Sequence, residues 1–572
     1  MISLEVSSPS MGYLDGGMAS RSSMTRAILV VVVFGLVWAK ALGLTQFADP
    51  TFIDWMIDGD WMGHLFGWLF TRNAPWALPL AQAPDLVAPA GSSAALTDAI
   101  PLLSVIGKLL SPLFGERMQL FGLWMVSGVI ATGVAGVLVC RAWLHDTASL
   151  ALAGCLFVMN PIVSTRYGHP PFFAFWMITA LVGACLWPVA DLKSARRTAA
   201  VTLALGFLCC ATTAYLAVMG SALVGAALLR LALTRQFKAP EALGWLVAGP
   251  LVSLGSLWLF GFVTGARGTP TGNLAIEGFG QFSADLLALV NPLNWSRFFG
   301  GIPMGFRQYE GYSYLGLGVL ALLVVRLAML KQHRPSRRDL LLALPLVVAF
   351  SVMAAYSLSN IVTVAGKPIA DFSAFYAKLA PWPSVFRSSG RFIWPLFAFL
   401  TMTAALTAAH LKTPWVRQFV LGGAVLLQFV DFDPTRTSIR HPYPPFEPLK
   451  DPAWQLMKDG YKHVVVHPVQ IQWTCPFDGK LIAALSWEAY RQRLSINSGH
   501  VGRPPPGTNC TAHLPATSLD RDTIYIPYFK EYYPDFLLPQ LACAPMDGRL
   551  VCVSRDHDTP LLRELVRRAG AR

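Results

Sequence analysis

The chain is dominated by apolar runs whose length approaches that of a membrane-crossing helix. A helix needs about 20 predominantly apolar residues to cross the hydrocarbon core of a bilayer. Only 13% of the 572 residues are charged, about half the share found in an average soluble domain. These features predict a polytopic α-helical membrane protein of about eleven spans. The apolar runs lie at residues 27–44, 119–143, 147–164, 170–190, 198–212, 214–233, 242–264, 312–330, 339–358, 391–411 and 416–430.

Two places in this series are ambiguous. The runs at 198–212 and 214–233 are nearly continuous, so one broken helix is an alternative to two spans. The last run is short and contains the polar Gln428, which makes it the least regular of the series.

The short connections between the runs carry the charges that orient the protein. Alternate connections are rich in Lys and Arg, and short loops of this kind stay in the cytoplasm. This rule predicts a multi-pass membrane protein with its N-terminus inside and its C-terminus outside. The net charge of +13 is explained by these loops, so no nucleic acid partner is predicted. The charged residues are Arg141; Lys193, Arg196 and Arg197; Arg230, Arg235 and Lys238; Lys331, Arg334, Arg337 and Arg338; and Lys412 and Arg417.

The sequence divides into a tail, a transmembrane domain and a soluble domain. Residues 1–23 are rich in Ser, Gly and Met and are predicted to be a disordered cytoplasmic tail. Residues 24–434 form the transmembrane domain. Its first outer loop, 45–115, contains apolar stretches at about 61–70 and 99–110. Both stretches are too short to span a membrane and are predicted to be interfacial helices.

Residues 435–572 have a soluble composition and predict a small α/β domain outside the membrane. Asp451-Pro452 is typical of a helix start, with the acid as N-cap and proline in the first turn. Residues 462–467 are predicted to form a strand. Further candidate strands lie at 492–496, 522–526 and in a terminal hairpin, and candidate helices lie at 480–491 and 559–569.

Four cysteines in the C-terminal domain predict two disulfides. Cys543 and Cys552 are symmetric about Asp547-Gly548, a dipeptide that favours a two-residue hairpin. In that register their Cα atoms are about 4.5 Å apart, which suits a disulfide. Cys475 and Cys510 remain as the second pair. Disulfides agree with an extracytoplasmic, oxidising location; free thiols in a cytoplasmic domain are the alternative.

The first outer loop carries the best candidate for a catalytic carboxylate. If residues 60–72 are helical, Asp60 and His64 lie one turn apart and can reach the same ligand. Asp60 is a candidate general base, and His64 is a candidate to orient it or to bind a metal or phosphate. The alternatives are an N-cap role for Asp60 and an interfacial His64 satisfied by its surroundings. Asp54 and Asp58 are the runner-up bases.

Basic residues near the ends of the runs are candidate phosphate contacts. Arg387 and Arg391 are four residues apart, so a helical start would put both guanidiniums on one face, where they could clamp a phosphate or diphosphate. A contact with outer-leaflet headgroups is the alternative. Charges near span ends are costly unless they are paired or functional, which adds Arg166, His169 and Glu310 to the candidate substrate-binding residues.

Several short stretches resemble a bacterial branch of the glycosyltransferase C superfamily of membrane enzymes. With the predicted topology, the resemblance covers most of residues 25–435. The matching stretches are Gly59-Asp60 through His64-Leu65-Phe66-Gly67-Trp68; Gly91-Ser92-Ser93 through Asp98-Ala99-Ile100-Pro101-Leu102-Leu103; Arg166-Tyr167-Gly168-His169; Tyr309-Glu310-Gly311-Tyr312-Ser313-Tyr314-Leu315-Gly316; and Phe386-Arg387-Ser388-Ser389-Gly390-Arg391.

The resemblance implies both a fold and an activity. Members of that superfamily have a first outer loop with interfacial helices and an acidic residue that acts as catalytic base, which falls here on Asp60. They use polyprenyl-phosphate sugars as donors, and many add a soluble C-terminal domain. The implied function is transfer of a sugar from polyprenyl phosphate to an extracytoplasmic glycan, lipid or protein, with membrane lipid as a further partner. A transporter or flippase of lipid-linked sugar and a non-catalytic scaffold for cell-envelope polysaccharide assembly are the alternatives.

Cofactor chemistry is only weakly indicated by the sequence. It contains no zinc-ligand spacing, Walker loop or glycine-rich dinucleotide fingerprint, and no residue is assigned to a metal. Some members of the superfamily carry an acidic pair, but Asp58 and Asp60 are two residues apart and would diverge on a helix. A divalent metal is therefore an open alternative, and the sequence predicts no oligomeric state.

Overall fold

The computed structural model describes residues 19–263, 278–329, 336–432, 446–505, 508–511, 519–528 and 540–570. Helices dominate these residues, and the larger sheet forms near the C-terminus. The described α-helices are α1 (Arg21–Ala41), α2 (Asp60–Asn73), α3 (Pro101–Leu110), α4 (Phe121–Cys140), α5 (Thr147–Val158), α6 (Pro161–Thr165), α7 (Phe175–Leu186), α8 (Leu192–Cys210), α9 (Ala214–Leu233), α10 (Ala239–Leu259), α11 (Leu317–Met329), α12 (Arg337–Leu358), α13 (Ser373–Ala377), α14 (Trp394–Thr407), α15 (Pro414–Asp431), α16 (Gly479–Gln492) and α17 (Pro560–Gly570). The described strands are β1 (Gln82–Ala83), β2 (Ser92–Ser93), β3 (Ile361–Val364), β4 (Lys367–Asp371), β5 (His463–His467), β6 (Ser495–Ile496), β7 (Thr523–Pro527), β8 (Leu541–Met546) and β9 (Arg549–Ser554).

Each of the eleven apolar runs coincides with a helix in the described part of the chain. The runs at 198–212 and 214–233 form two helices, because α8 ends at Cys210 and α9 begins at Ala214. The predicted tail falls mostly on residues 1–18, outside the described residues, and α1 begins at Arg21. Among the described helices, seven are long and apolar enough to cross a membrane, so the count of eleven spans stays a prediction. The seven segments are Arg21–Ala41, Phe121–Cys140, Thr147–Thr165, Ala214–Leu233, Ala239–Leu259, Arg337–Leu358 and Ser389–His410.

Residue contacts divide the chain into two compact units. Unit 1 comprises Met1–Ala48, Phe121–Ser256 and Leu274–His441, and holds most of the apolar helices. Unit 2 comprises Asp49–Leu120, Leu257–Asn273 and Pro442–Arg572. The first outer loop therefore groups with the C-terminal residues, a grouping that the sequence does not predict.

Hydrogen bonds inside unit 2 explain why the outer loop groups with the C-terminal residues. The end of α2 is tied to α16, because Arg72 Nη1 donates to Tyr490 Oη over 3.1 Å and Asn73 Nδ2 donates to the Tyr490 carbonyl over 2.8 Å. Further along, the Ile496 amide of β6 donates to the Asp85 carbonyl over 2.8 Å. The outer loop thus adds backbone hydrogen bonds to the edge of the C-terminal sheet.

The C-terminal part of unit 2 contains a five-stranded sheet of order β6-β5-β7-β9-β8. Strand β5 is parallel to β6 and β7, whereas β8 and β9 form the predicted antiparallel hairpin. Its register pairs Cys543 with Cys552, whose sulfurs are bonded and whose Cα atoms are 4.1 Å apart. Cys475 and Cys510 form the second disulfide, with Cα atoms 5.3 Å apart. Both predicted cysteine pairs are confirmed.

The two predicted interfacial helices of the outer loop differ in burial. Every residue of α2 from Met62 to Thr71 is buried, so α2 differs from a helix that lies on a membrane surface. It packs in the interior of unit 2, where Trp68 Nε1 donates to the Met118 carbonyl over 2.9 Å. Helix α3 keeps exposed apolar side chains, with Leu109 66% exposed. This pattern agrees with an interfacial helix.

A polar pair on α15 explains the irregular last run in unit 1. The first amide groups of a helix lack partners within the helix. Gln428 Oε1 accepts from the Gly318 amide over 2.9 Å, and Asp431 Oδ2 accepts from the Leu317 amide over 3.0 Å. Tyr314 Oη also donates to Asp431 over 3.0 Å. These side chains satisfy the N-terminus of α11 from a neighbouring helix, so Gln428 has a structural role.

Candidate active site

Asp60 is the first residue of α2, at a sharp turn of the chain. The N-cap is Gly59, whose φ of +57° lies in the left-handed region that favours glycine. Asp60 is therefore not the N-cap, which removes the simplest structural explanation for this carboxylate. Its side chain is 37% exposed, although the helix is buried from Met62 to Thr71. The N-terminal end of a helix stabilises a negative charge, so the position suits an ionised carboxylate.

The histidine that faces Asp60 is His500, from the C-terminal residues of unit 2. The Nε2 atom of His500 lies 3.5 Å from Asp60 Oδ1, and the imidazole is 8% exposed. His64, which the sequence predicts as the partner of Asp60, instead places Nδ1 2.6 Å from the Asp98 carbonyl oxygen. Because that oxygen only accepts, the proton of a neutral His64 is on Nδ1.

Burial keeps His64 neutral. Its side chain is enclosed, and this desolvation lowers the pKa of His64 below its ordinary value, while the nearby carboxylates of Asp98 and Asp60 partly oppose the shift. A neutral imidazole that bonds a backbone carbonyl holds the end of the 94–100 loop against α2.

Two glycines on α2 allow these close approaches. A Cβ on Gly63 would lie 2.5 Å from His500 Nδ1 and 3.2 Å from the Thr97 carbonyl oxygen. A Cβ on Gly67 would lie 1.9 Å from Thr97 Oγ1. Gly63 and Gly67 are one turn apart on one face of the helix. The Gly-x-x-x-Gly spacing is therefore explained by packing within unit 2.

In unit 1, Glu310 is the centre of a buried ionic cluster. Its Oε2 atom accepts from Arg391 Nε over 2.9 Å, and it lies 2.7 Å from Arg391 Nη2 and 3.3 Å from Arg166 Nη1. Arg166 Nη2 also donates to the carbonyls of Tyr309 and Glu310, over 2.8 and 2.9 Å. The side chains of Glu310, Arg166 and Arg391 are each 7% exposed. His169 is at the edge of the cluster, with Nε2 4.0 Å from Glu310 Oε1.

The charges of the cluster determine the protonation state of Glu310. Burial alone would raise the pKa of this carboxyl, but the Arg166 and Arg391 guanidiniums outweigh burial and lower the pKa to about 2. Glu310 is therefore ionised at neutral pH, and two guanidiniums share its charge.

Aromatic rings and glycines complete the cluster. The Arg391 guanidinium lies 4.4 Å from the ring centre of Phe172 and 4.6 Å from that of Tyr215, at cation–π distance. A Cβ on Gly390 would lie 2.7 Å from the Cα of Gly311. The backbones that carry Arg391 and Glu310 therefore approach closely because both neighbouring residues lack side chains.

Arg387 lies apart from this cluster, beside a second arginine. The helical turns that lead into α14 begin at Ser389, so Arg387 precedes them and the predicted one-turn relation to Arg391 does not hold. Its guanidinium lies 5.1 Å from the ring centre of Phe282, and the Arg307 guanidinium lies 5.2 Å from the same centre. The two cations therefore flank one ring, and Arg307 is on an exposed turn.

Family models match both parts of this chain. The model described as Domain of unknown function (DUF6311) matches residues 32–433, and the model described as DUF6311 C-terminal domain matches residues 453–554. The chain belongs to the DUF6311 family. Asp60 lies in the first match and His500 in the second. No curated protein matches this DUF6311 chain.

A solved structure similar to this DUF6311 chain is the archaeal oligosaccharyltransferase AglB from Archaeoglobus fulgidus, in complex with an inhibitory peptide and a dolichol-phosphate. The sequences are 13% identical, and the TM-score is 0.36. The similarity covers 82% of this chain and 64% of AglB, so this chain spans less than two thirds of that protein. At this level of similarity, function must be argued from the residues of this DUF6311 chain itself.

The sequence-predicted site residues of this DUF6311 chain form separate groups. One group is the Glu310 cluster, which contains Arg166, His169, Glu310 and Arg391. A second is Arg387, which contacts the Phe282 ring, as does Arg307. The third, Asp60 and His64, belongs to unit 2. Sequence reasoning singled out neither His500 nor Arg307. No sequence signal links His500 to Asp60, because most of the chain separates them.

Among the described residues of this DUF6311 chain, no group of three or more His, Cys, Asp or Glu side chains is placed to hold a metal ion. The pair of Asp60 and His500 alone supplies two potential ligand side chains, which is fewer than a protein metal site ordinarily uses.

Proposed function

We propose that this chain is a membrane glycosyltransferase that moves a sugar from polyprenyl phosphate to an acceptor outside the membrane, with Asp60 as general base. The observation that carries this proposal is the setting of Asp60. A general base must be reachable by its substrate and held in position. Asp60 is 37% exposed at the start of a helix whose middle is buried, with a buried imidazole 3.5 Å away. The resemblance of the outer-loop stretches to glycosyltransferase C enzymes agrees with this role.

The proposed reaction is a direct displacement with inversion. The Asp60 carboxylate takes the proton of an acceptor hydroxyl while the hydroxyl oxygen forms a bond to the anomeric carbon of the donor sugar. The bond between that carbon and the phosphate oxygen breaks, and its electron pair leaves with polyprenyl phosphate. One proton moves to Asp60, and the products are the glycosylated acceptor and the lipid phosphate.

Within unit 1, Arg387 is proposed as a phosphate contact, with Arg307 as a second cation. Both guanidiniums flank Phe282, at 5.1 and 5.2 Å from its ring centre. Arginine binds phosphate oxygens with its planar fork of donors, and an anion beside two like charges relieves their repulsion. The predicted substrate contacts of Arg166, His169, Glu310 and Arg391 remain part of the proposal, although their mutual pairing favours a role in holding the loops together.

The composition of unit 2 supports an outward location for Asp60. Among the described residues, six helices that coincide with predicted spans lie between the first and second segments of unit 2. They are α4, α5 continued by α6, α7, α8, α9 and α10. Four more separate the second segment from the third: α11, α12, α14 and α15. Because both numbers are even, a chain that crosses once with each helix returns to the same side. With α1, these helices make up the eleven spans of the proposed topology.

The two disulfides of unit 2 support the outer side of the membrane. Disulfides form and persist outside the cytoplasm, and Cys475–Cys510 and Cys543–Cys552 are both in unit 2. Asp60 belongs to the same unit, so it shares that location. The proposed site is therefore on the extracytoplasmic side of a bacterial inner membrane.

The test follows the release of lipid phosphate by the reconstituted full-length protein. Proteoliposomes receive the lipid-linked sugars and the cell-envelope material of the source cells, and polyprenyl phosphate is measured by mass spectrometry. We expect release with the wild type and background release with Asp60→Asn, because a neutral amide cannot accept the proton. The matched control is Asp558→Asn, which changes an exposed carboxylate of the same unit. Movement of lipid-linked sugar across the bilayer without release would favour a transporter, and neither event would favour a scaffold.

A further inference from the structure

We infer that His500 is the positioning residue for Asp60, so that the C-terminal residues complete the proposed catalytic site. This inference rests on the proposed role of Asp60 as general base. In it, the Nε2–H of His500 donates to Asp60 Oδ1 and fixes the orientation of the carboxylate while Asp60 takes the proton of the acceptor. His500 stabilises the arrangement through this hydrogen bond and takes no atom from the substrate.

The first argument is the unusual state of the His500 side chain. The imidazole is 8% exposed, and among the described residues neither ring nitrogen has a hydrogen-bond partner. A buried polar group without a hydrogen bond destabilises a fold, because its lost hydration is not replaced. Such groups in native structures call for an explanation, and catalytic roles are one of the known reasons. Asp60 Oδ1 lies 3.5 Å from His500 Nε2 and is positioned to become its partner.

The distance fits a pair that tightens when substrate binds. Catalytic hydrogen bonds are often long in structures without substrate and shorten in the complex with substrate. A distance of 3.5 Å between Nε2 and Oδ1 is at the outer limit of a hydrogen bond. Entry of an acceptor beside Asp60 would exclude water and strengthen the attraction between the carboxylate and the imidazole N–H.

The alternative partner, His64, is occupied elsewhere. Its Nδ1 atom bonds the Asp98 carbonyl oxygen over 2.6 Å. The ring is therefore held by the backbone of the outer loop, and it supports the position of α2. His500 Nε2 lies 3.5 Å from Asp60 Oδ1, whereas the hydrogen bond that fixes the His64 ring is made to the backbone.

A further argument is the space that α2 provides for His500. Gly63 is three residues after Asp60, on the adjacent turn, and a Cβ there would lie 2.5 Å from His500 Nδ1. This separation is shorter than real Cβ contacts, so any side chain at position 63 would displace the imidazole. A glycine at this position therefore permits the contact between His500 and Asp60.

The test uses the release assay described above, with full-length variants of His500. His500→Ala removes the donor, and we expect about a 10–100-fold loss of kcat with an unchanged KM for the lipid-linked sugar. His500→Gln carries an amide N–H that can approach the position of Nε2, and we expect it to recover most of the lost kcat. The matched control is His557→Ala, which removes another histidine of unit 2 whose Nδ1 bonds the Arg521 carbonyl oxygen.

The outcomes separate this inference from the proposed function. Wild-type kcat in His500→Ala, together with loss of release in Asp60→Asn, would overturn the role of His500 and leave Asp60 as base. Equal losses in His500→Ala and His500→Gln that match a loss of folded protein would reduce His500 to a structural contact. Absence of release by the wild type would remove the proposed function and the role of His500 with it. Gly63→Ala provides a second measurement, because displacement of His500 should lower kcat in proportion to His500→Ala.

Discussion

Glu310 in unit 1 and Asp60 in unit 2 are both carboxylates beside basic side chains, yet their surroundings differ. Glu310 is 7% exposed and shares its charge with Arg166 and Arg391. Asp60 is 37% exposed, and the side chain that faces it, His500, has no hydrogen-bond partner among the described residues. The Glu310 cluster is enclosed, whereas the Asp60 side chain is partly exposed to solvent.

The difference indicates what each carboxylate does. A buried carboxylate bound by two guanidiniums is held so firmly that its removal leaves uncompensated charges. It fixes the loops before α11 and α14 in one arrangement. A carboxylate that is reachable from solvent retains the capacity to bind a new partner. The two carboxylates thus serve two purposes. The Glu310 cluster stabilises the fold, whereas the Asp60 carboxylate is suited to proton transfer.

The largest expected effect comes from neutralising Glu310. Glu310→Gln keeps the shape but leaves two buried guanidiniums without a counter-charge. Breaking a buried pair in this way typically destabilises a protein by about 3–5 kcal/mol. We expect a large fall in the unfolding temperature of the detergent-purified protein, followed by intrinsic fluorescence.

The matched control for Glu310→Gln is Glu241→Gln. Glu241 pairs with Arg196 at a surface position where both side chains are partly exposed, and surface pairs contribute little. An unfolding temperature for Glu310→Gln that equals that of Glu241→Gln would show that the buried cluster does not stabilise unit 1.

A smaller loss of stability is expected from forcing apart the two loops that carry Glu310 and Arg391. Gly390→Ala adds a Cβ that would lie 2.7 Å from the Cα of Gly311. Insertion of a methyl group into such a contact typically destabilises by about 1–3 kcal/mol. We expect a lowered unfolding temperature, whereas Gly423→Ala, at an exposed position of α15 with no atom near the added Cβ, should cause no loss. Equal stability of the two variants would contradict the close approach of Glu310 and Arg391.

The smallest effect is a difference in acid sensitivity between the units. The pKa of Glu310 is lowered from 4.5 to about 2, so its stabilising effect is complete above about pH 4.5 and is lost as the pH falls toward 2. The pKa of His64 is lowered from 6.5 by burial. The unfolded chain therefore binds a proton first, and the folded state loses at most about 1.4 kcal/mol per pH unit as the pH falls below 6.5.

Hydrogen exchange measured by mass spectrometry checks this difference. Between neutral pH and about pH 5, peptides from α2 should lose protection after correction for intrinsic rates, whereas peptides that contain Glu310 should not. His64→Asn, whose amide can donate to the Asp98 carbonyl without titrating, should remove the effect. The same pH dependence in both regions would argue against a buried neutral His64.

Local sequence patterns predicted the parts of the fold that depend on neighbouring residues. The Asp547-Gly548 turn sets the register that joins Cys543 to Cys552, and each apolar run became a helix. Both features follow from short-range periodicity and turn chemistry. The polar Gln428 was correctly seen as irregular, but its role depends on the end of α11, which the run itself does not contain.

The site was harder to predict because its contacts are long-range. Asp60 and Glu310 were recognised as polar residues in matching stretches, but their partners were not. The burial of α2 and the approach of His500 both depend on C-terminal residues that pack against the outer loop. Arg387 and Arg391 were expected on one helical face, yet the helical turns begin only at Ser389. Spacing along the chain does not determine where a helix starts when tertiary contacts decide it.

The most direct test measures polyprenyl phosphate release and unfolding temperature on the same preparation of Asp60→Asn. The substitution preserves size at a partly exposed position, so the fold should keep the unfolding temperature of the wild type. We predict that this folded variant releases no polyprenyl phosphate above the level of protein-free vesicles. Release at the wild-type rate by folded Asp60→Asn would contradict the assignment of the chemistry to Asp60.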